Sequence, residues 1–280
     1  MCAFYELDES EFYGRCVEEF LLTRADAPVP GDRIVELGVG SGKALCRVLH
    51  RTGYAGVIDG YELDPNSCRM AAETIERYGV AGLYRVTNTD FFTATASLAR
   101  PLSAIANPPY LPSDQASASF PVLSGGPRGN AVTKRIIRSG FATVMVMLSS
   151  FSDPLETIAL ATACGYSVRR WIAQPLRMGP YSSRAAVRRR IDELAASGRA
   201  FVRSDSYLLV GVTWCRGAGP APDGSADLVE ALRVFAGSRG QPADRSGGHV
   251  QHPATPATRQ HGSGRVARAT CGAVDGSSNW

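Results

Sequence analysis

Histidine is scarce in this 280-residue chain. There are four, and His249, His252 and His261 stand in a polar C-terminal stretch. The seven cysteines are scattered, with no Cys-x-x-Cys pair. Neither a zinc site nor a redox dithiol is expected, and separated thiols in odd number point to a reduced, cytoplasmic setting. No apolar run is long enough for a membrane: the longest, Phe141 to Leu148, is far below the length that spans a bilayer. The opening MCAFYELDESEFYGR is acidic where a secretory signal would be basic. Charge is nearly balanced, at +4 with a pI of about 8.7, which is too little to argue for a nucleic-acid partner. These absences disfavour a metal enzyme, a secreted disulfide scaffold and a membrane protein.

What is present is a regular alternation of apolar segments. An amphipathic helix is predicted from Glu9 to Leu22, and a breaker cluster follows at Ala27 to Asp32. Strands are then predicted at Arg33 to Leu37, Gly56 to Tyr61, Leu83 to Val86, Ser103 to Ala106 and Ala142 to Leu148. Helices fall between or after them at Ser41 to Arg51, Asn66 to Tyr78, Ala131 to Arg138 and Pro154 to Cys164. This order predicts an α/β fold: a Rossmann-like, seven-stranded, mostly parallel sheet covered on both faces. Two last strands, Ser167 to Ile172 and Ser206 to Trp214, are joined without a full crossover and suggest an antiparallel edge. The boundaries expected are an N-terminal helical extension over 1–30, a catalytic domain over 31–216, and a low-complexity tail over 217–280. Within the domain, residues 177–199 form an insertion that would serve as a lid. In the tail, Leu228, Val229, Leu232 and Phe235 could share one face of a short helix. From Gly237 onward large apolar residues are few, and disorder is expected.

Four motifs carry chemistry. The first is Val35-Glu36-Leu37-Gly38-Val39-Gly40-Ser41-Gly42-Lys43, between a strand and a helix. A phosphate-binding P-loop needs one more residue before its Gly-Lys, and Ala44 stands where Ser or Thr would hold magnesium. A dinucleotide fingerprint needs G-x-G-x-x-G, and this is G-x-G-x-G. The second motif is Gly60-Tyr61-Glu62-Leu63-Asp64-Pro65, at the end of the next strand. Glu62 is placed to accept hydrogen bonds from a ribose diol, and Asp64 to cap the helix after it. The third is Asn88-Thr89-Asp90-Phe91-Phe92.

The fourth, Asn107-Pro108-Pro109-Tyr110, is the most informative. Two prolines after a strand stiffen the backbone and free its carbonyls from the sheet. An NH₂ nucleophile has two protons to place. The Asn107 side-chain oxygen can accept one and the Pro108 carbonyl the other, which aims the nitrogen lone pair at an electrophile. Tyr110 offers a flat face for a planar amide or nucleobase.

Together these segments resemble class I S-adenosylmethionine-dependent N-methyltransferases of the Asn-Pro-Pro-Tyr type, over about Arg33 to Trp214. The resemblance implies S-adenosyl-L-methionine as methyl donor, with Glu36, Gly38, Gly40, Gly42, Glu62, Leu63, Asp90, Phe91 and Asn107 around it. It implies that Asp90 takes the adenine amino group and that Phe91 offers a backbone amide. It implies that Asn107, Pro108, Pro109 and Tyr110 form the catalytic loop, with no metal. The later run Gly125-Gly126-Pro127-Arg128-Gly129-Asn130 is similar to the Gly-Gly-x-x-Gly segment of the HemK-like, release-factor glutamine methyltransferase group. Only about 30 residues precede the cofactor loop here, where that group has a sizeable helical domain that grips the release factor. The acceptor expected is therefore a small molecule or a compact protein site. A nucleobase of ribosomal or transfer RNA is the alternative, with Arg184, Arg188, Arg189 and Arg190 as phosphate contacts. A non-catalytic binding protein of the same fold is the rival from another class.

Overall fold

The computed structural model describes residues 7–26, 33–99, 102–113, 123–217, 222–237 and 250–251. The first elements are α1 (Leu7–Asp26), β1 (Arg33–Leu37), α2 (Lys43–Thr52), β2 (Ile58–Glu62), α3 (Pro65–Tyr78) and β3 (Tyr84–Asn88). Next come α4 (Phe91–Ala96), β4 (Leu102–Ala106), α5 (Ala131–Arg138), β5 (Thr143–Ser149) and α6 (Pro154–Ala163). The chain continues with β6 (Tyr166–Arg177), α7 (Ala185–Ala196), β7 (Ser206–Arg216), α8 (Ser225–Gly237) and a two-residue β8 (Val250–Gln251).

The strands form one sheet in the order β3-β2-β1-β4-β5-β7-β6-β8. Pairing is parallel from β3 across to β5 and antiparallel on both sides of β7. The α/β, mostly parallel, Rossmann-like architecture is thus present. The antiparallel strand is inserted between β5 and β6 and does not itself form the edge.

Period-two alternation places the core. Ile34, Ile58, Tyr84, Ile105, Met145 and Met147 point to one face, against residues of α1, α2, α3 and α7. Val35, Leu102, Ala104, Val144, Val146 and Leu148 point to the other, against α4, α5, α6 and α8. The helix after β1 therefore lies on one face and the helix after β4 on the other. The two strands are neighbours, so the chain reverses its winding between them, and a crevice opens beyond their carboxyl ends.

The structure places three of the expected segments. The helical extension expected over 1–30 contains α1, whose Phe12, Cys16, Val17, Phe20 and Leu21 are buried within the main core. The stretch over 217–280 is not wholly low-complexity tail. Within it α8 buries Leu228, Leu232 and Phe235, and Val250–Gln251 pairs with β6. Asp223 accepts from the Val168 amide (2.9 Å), which points away from β7, and from the Ser225 amide (3.0 Å). The disorder expected over 238–249 and 252–280 lies outside the described residues. The insertion over 177–199 begins at the last residue of β6, and its helix α7 buries Ile191 and Leu194 in the main core.

Candidate active site

The strand register brings all four motifs to one end of the sheet. Leu37 pairs with Tyr61 on one side and Ala106 on the other, and Glu62 pairs with Asn88. Gly38, Leu63, Thr89 and Asn107 therefore begin four adjacent loops. The glycine loop and the Asn-Pro-Pro-Tyr loop flank the crevice where the winding reverses.

The glycine loop is a tight left-handed turn. Gly38, Gly40 and Gly42 have φ of 74°, 57° and 71°, values that residues with a Cβ rarely adopt. Gly42 is the N-cap of α2 and gives that helix no side-chain cap, so the first amides of α2 face the loop with their positive ends. Glu62 braces the turn from β2. One carboxylate oxygen accepts from the Gly40 amide (2.8 Å), the other from the Asp64 amide (3.0 Å). Asp64 caps α3 through the Ser67 amide (2.9 Å), the role read for it from sequence. Leu63 beside it is 68% exposed and offers an apolar surface at the mouth of the loop.

Glu36 does not face the crevice. Its side chain is 2% exposed and turned into the core, where Tyr13 of α1 donates to one oxygen (2.8 Å) and Tyr84 of β3 to the other. Burial pushes its carboxyl up to about 7, against the pull of the two tyrosine hydroxyls, with Glu62 adding to the rise. Its contribution to a ligand thus passes through the loop it underpins. The shift has a stability consequence. A carboxyl raised in the folded state adds stability in full below pH about 4.5, and that contribution is lost as pH climbs through about 7. Glu36→Gln carries no such charge, so its stability relative to wild type should improve from pH 5 to pH 8. The change expected is on the order of 3 kcal/mol, from a shift of about 2.5 units. Urea melts across that range check it; a gap independent of pH would contradict the assignment.

Asp90 is the N-cap of α4, with one oxygen accepting from the Thr93 amide and hydroxyl, both at 2.8 Å. Burial pushes its carboxyl up, but the Thr93 bonds outweigh this and, with Arg135, hold it below the usual value. Phe91 is buried among Tyr61, Phe92 and Phe141. It can therefore meet a ligand through its backbone but not through its ring.

Asn107 stands across the crevice. Its Oδ1 is closed to solvent and has no hydrogen-bond partner among the described residues. Nothing among them donates to the Pro108 carbonyl. The ring of Tyr110 is 8% exposed and packs against Phe151, with centroids 5.8 Å apart. Its hydroxyl is pushed well above the usual range by burial, then by Glu9 and Tyr207. The open stacking face expected for Tyr110 is therefore mostly covered by core.

A second glycine segment holds this loop in place. The Gly125 amide donates to the Leu111 carbonyl (2.9 Å), and the Ser113 amide to the Gly126 carbonyl (3.0 Å). A Cβ at Gly129 would collide with the Tyr110 carbonyl and crowd the Ser152 Cβ, so the absence of a side chain lets the backbones pass this closely. Behind it stands Asp153, which sequence reading passed over. Asp153 is buried and, among the described residues, is the one non-glycine with positive φ, 47°. It caps α6 through the Glu156 amide (3.2 Å) and takes Arg128 (3.4 Å) and Arg199 (3.0 Å) on its other oxygen. Arg190 of α7 donates to the Pro127 carbonyl (2.9 Å). The insertion thus grips the segment that supports Asn107. The signal available in sequence was the Ser-Asp-Pro run, a capping residue ahead of a proline at the first helical position.

Among the described residues no group of His, Cys, Asp and Glu could hold a metal ion, and no helix is long and apolar enough to cross a membrane.

No family model matches the chain, and no curated protein does. Solved structures give broad likenesses. A SAM-dependent methyltransferase from Thiobacillus denitrificans, in complex with S-adenosyl-L-homocysteine, is 17% identical with a TM-score of 0.41, over 76% of this chain and 92% of that one. A SAM-dependent methyltransferase from Geobacter sulfurreducens, also with S-adenosyl-L-homocysteine, is 15% identical with a TM-score of 0.42, over 77% and 94%. The [4+2]-cyclase SpnF is 13% identical with a TM-score of 0.43, over 74% and 81%. Fold does not fix reaction, so the chemistry rests on this chain's own side chains.

Proposed function

We propose that this chain is an S-adenosylmethionine-dependent methyltransferase that places the methyl group on a nitrogen. The observation that carries the reading is Asn107: just past the end of β4, across the crevice from the glycine loop, its side-chain oxygen has no hydrogen-bond partner among the described residues. A half-turn of that amide presents either its oxygen or its nitrogen to the crevice. With the Pro108 carbonyl it makes a pair of acceptors suited to the two protons of an amide or amine. The donor's share of the site is consistent in charge. Glu62 holds the loop with a carboxylate at Gly40, a setting that suits a cationic sulfonium better than a phosphate.

Bound there, S-adenosylmethionine would supply an electrophilic methyl on a cationic sulfur. The chain's residues do the rest. Glu62, Leu63, Asp90 and the Phe91 backbone orient the nucleoside. Asn107 and the Pro108 carbonyl fix the nitrogen so that its lone pair points along the line of transfer. No base is required of the protein, because the nitrogen becomes more acidic as the new bond forms and can lose its proton to solvent.

For the acceptor we favour a small molecule or protein side-chain amide over a large RNA. Arg188 is paired with Asp192, Arg190 with Glu193, and both Arg128 and Arg199 with Asp153, so the arginines around the insertion are largely committed to carboxylates. Incubation of pure protein with methyl-labelled donor and fractionated cell extract tests this. Label in a small-molecule or protein fraction is expected; label in a nucleobase would overturn the preference.

The donor is tested separately. Glu62→Ala should weaken S-adenosylmethionine binding about 10- to 100-fold, the loss of a charged acceptor worth about 1.5–3 kcal/mol, as read by calorimetry. No binding by the wild-type chain, or unchanged affinity in the variant, would contradict the assignment.

A further inference from the structure

Glu36 is a buried acid without a cationic partner among the described residues. Both of its oxygens are occupied by hydroxyls, Tyr13 from α1 and Tyr84 from β3. The other ionisable groups that face it are Glu62 on β2 and Cys46 on α2. All four groups are neutral or negative in every protonation state. Gly38 opens the loop two residues beyond Glu36, and Glu62 holds the loop at Gly40 (2.8 Å). The ground beneath the loop is therefore built from two carboxylates.

A buried carboxylate without a counter-ion keeps its proton, because desolvation penalises the charged form. This is the state burial imposes on Glu36 up to pH about 7. A cation seated against the loop reverses the preference, since an opposite charge nearby favours ionisation. A neutral ligand of the same shape does not. The two tyrosine hydroxyls are already aimed at the carboxylate, and their bonds strengthen when it becomes charged.

Resting on the methyl-donor reading above, we propose that Glu36 is the residue by which the loop distinguishes the charged sulfonium from its neutral thioether product. Arrival of the cation expels the proton held in the Tyr13–Glu36–Tyr84 cluster, and loss of the cation on transfer lets one return. Charge balances, one positive charge entering as one leaves. The transfer step balances too. A carbon–nitrogen bond forms, the carbon–sulfur bond breaks with its electron pair left on sulfur, and the nitrogen sheds one proton. Glu36 regains one proton in the same turnover.

Calorimetry on the full chain tests this without an acceptor. S-adenosylmethionine and S-adenosylhomocysteine are each titrated at pH 6 in two buffers of different ionisation enthalpy, with wild type and with Glu36→Gln. The donor should release most of a proton from wild type and the product almost none. The donor's Kd should fall by up to about tenfold per pH unit between pH 5 and 6 and level off above 7, while the product's stays flat. The ligands' own ammonium groups contribute equally to Glu36→Gln, so the difference between the two proteins isolates Glu36. If that variant does not fold, Tyr84→Phe takes its place. Removing a hydroxyl that stabilises the carboxylate should move the release to higher pH. Equal proton release with donor and product, or none with the donor, overturns this inference and leaves the methyl-donor reading standing. Absence of binding by either ligand overturns both.

Discussion

Asn107→Ala should lower turnover roughly 100- to 1,000-fold while leaving the Kd of S-adenosylmethionine within about twofold, the scale seen when a single preorganised polar group is removed from a reacting centre. The split between the two numbers is what matters. Asn107 follows the last residue of β4, whereas the groups assigned to the donor sit on the loops after β1, β2 and β3. Its amide makes no hydrogen bond to any described residue, so its loss leaves no protein group unsatisfied and should barely change stability. An effect on kcat with none on donor binding or melting temperature marks an interaction made with the reacting nitrogen alone. Asn107→Asp sharpens the result. It keeps an oxygen to accept a proton but brings a negative charge that needs water or a cation, so it should recover part of the activity, more at lower pH. Near-normal turnover in the alanine variant would remove nitrogen as the acceptor atom and favour oxygen or carbon.

What could be read from sequence was what is local. Each motif is a strand end followed by a turn, and the parallel register then puts all such ends on one side of the sheet without further information. The strands announced themselves by apolar runs, and α5 was read at its observed limits because apolar and basic residues alternate cleanly at helical spacing. Helix α4 was missed. It has six residues, four of them Thr or Ala in the sequence Phe-Phe-Thr-Ala-Thr-Ala, and its clearest signal was Asp90 three residues before Thr93. Strand β6 was read only to Ile172, and it continues through Pro175 to Arg177. In the structure Pro175 pairs with Leu208 on one side only, and a strand near the edge tolerates the lost donor.

What could not be read was what depends on distant partners. Glu36 was assigned to the ligand because it precedes the glycines. Its actual partners lie 23 and 48 residues away, and no spacing rule connects them. The burial of Tyr110 has the same origin, since Phe151, just past β5, packs on it and Tyr207 of β7 packs on Phe151. The strained backbone of Asp153 was equally invisible, because a left-handed aspartate has no composition of its own. It persists because a helix cap and two arginines hold it.

The Gly-Gly-x-x-Gly segment shows how much of the catalytic loop is set from outside it, and it supports the second large expected effect. Gly129→Ala should abolish most turnover, and Gly126→Ala should not. Both glycines are left-handed, with φ of 78° and 80°, so both variants carry the same backbone penalty of about 1 kcal/mol. They differ in what the new methyl meets. At Gly126 it would lie 3.1 Å from the Cβ of Ala131, a tightness that a small shift of the helix end relieves. At Gly129 it would collide with the Tyr110 carbonyl and lie 2.8 Å from the Ser152 Cβ. Neither side can yield cheaply, since one is the backbone of the Asn-Pro-Pro-Tyr loop, stiffened by its prolines, and the other leads into the constrained turn at Asp153. The loop must therefore move outward, carrying the Pro108 carbonyl and Asn107 with it. A displacement of about 1 Å at a positioning group is enough to cost on the order of 100-fold in rate. The glycine loop at Gly38 to Gly42 is a separate turn, so donor affinity in Gly129→Ala should stay close to wild type. Equal activity in the two variants would mean that the segment does not set the loop, and that the prolines alone hold Asn107 in place.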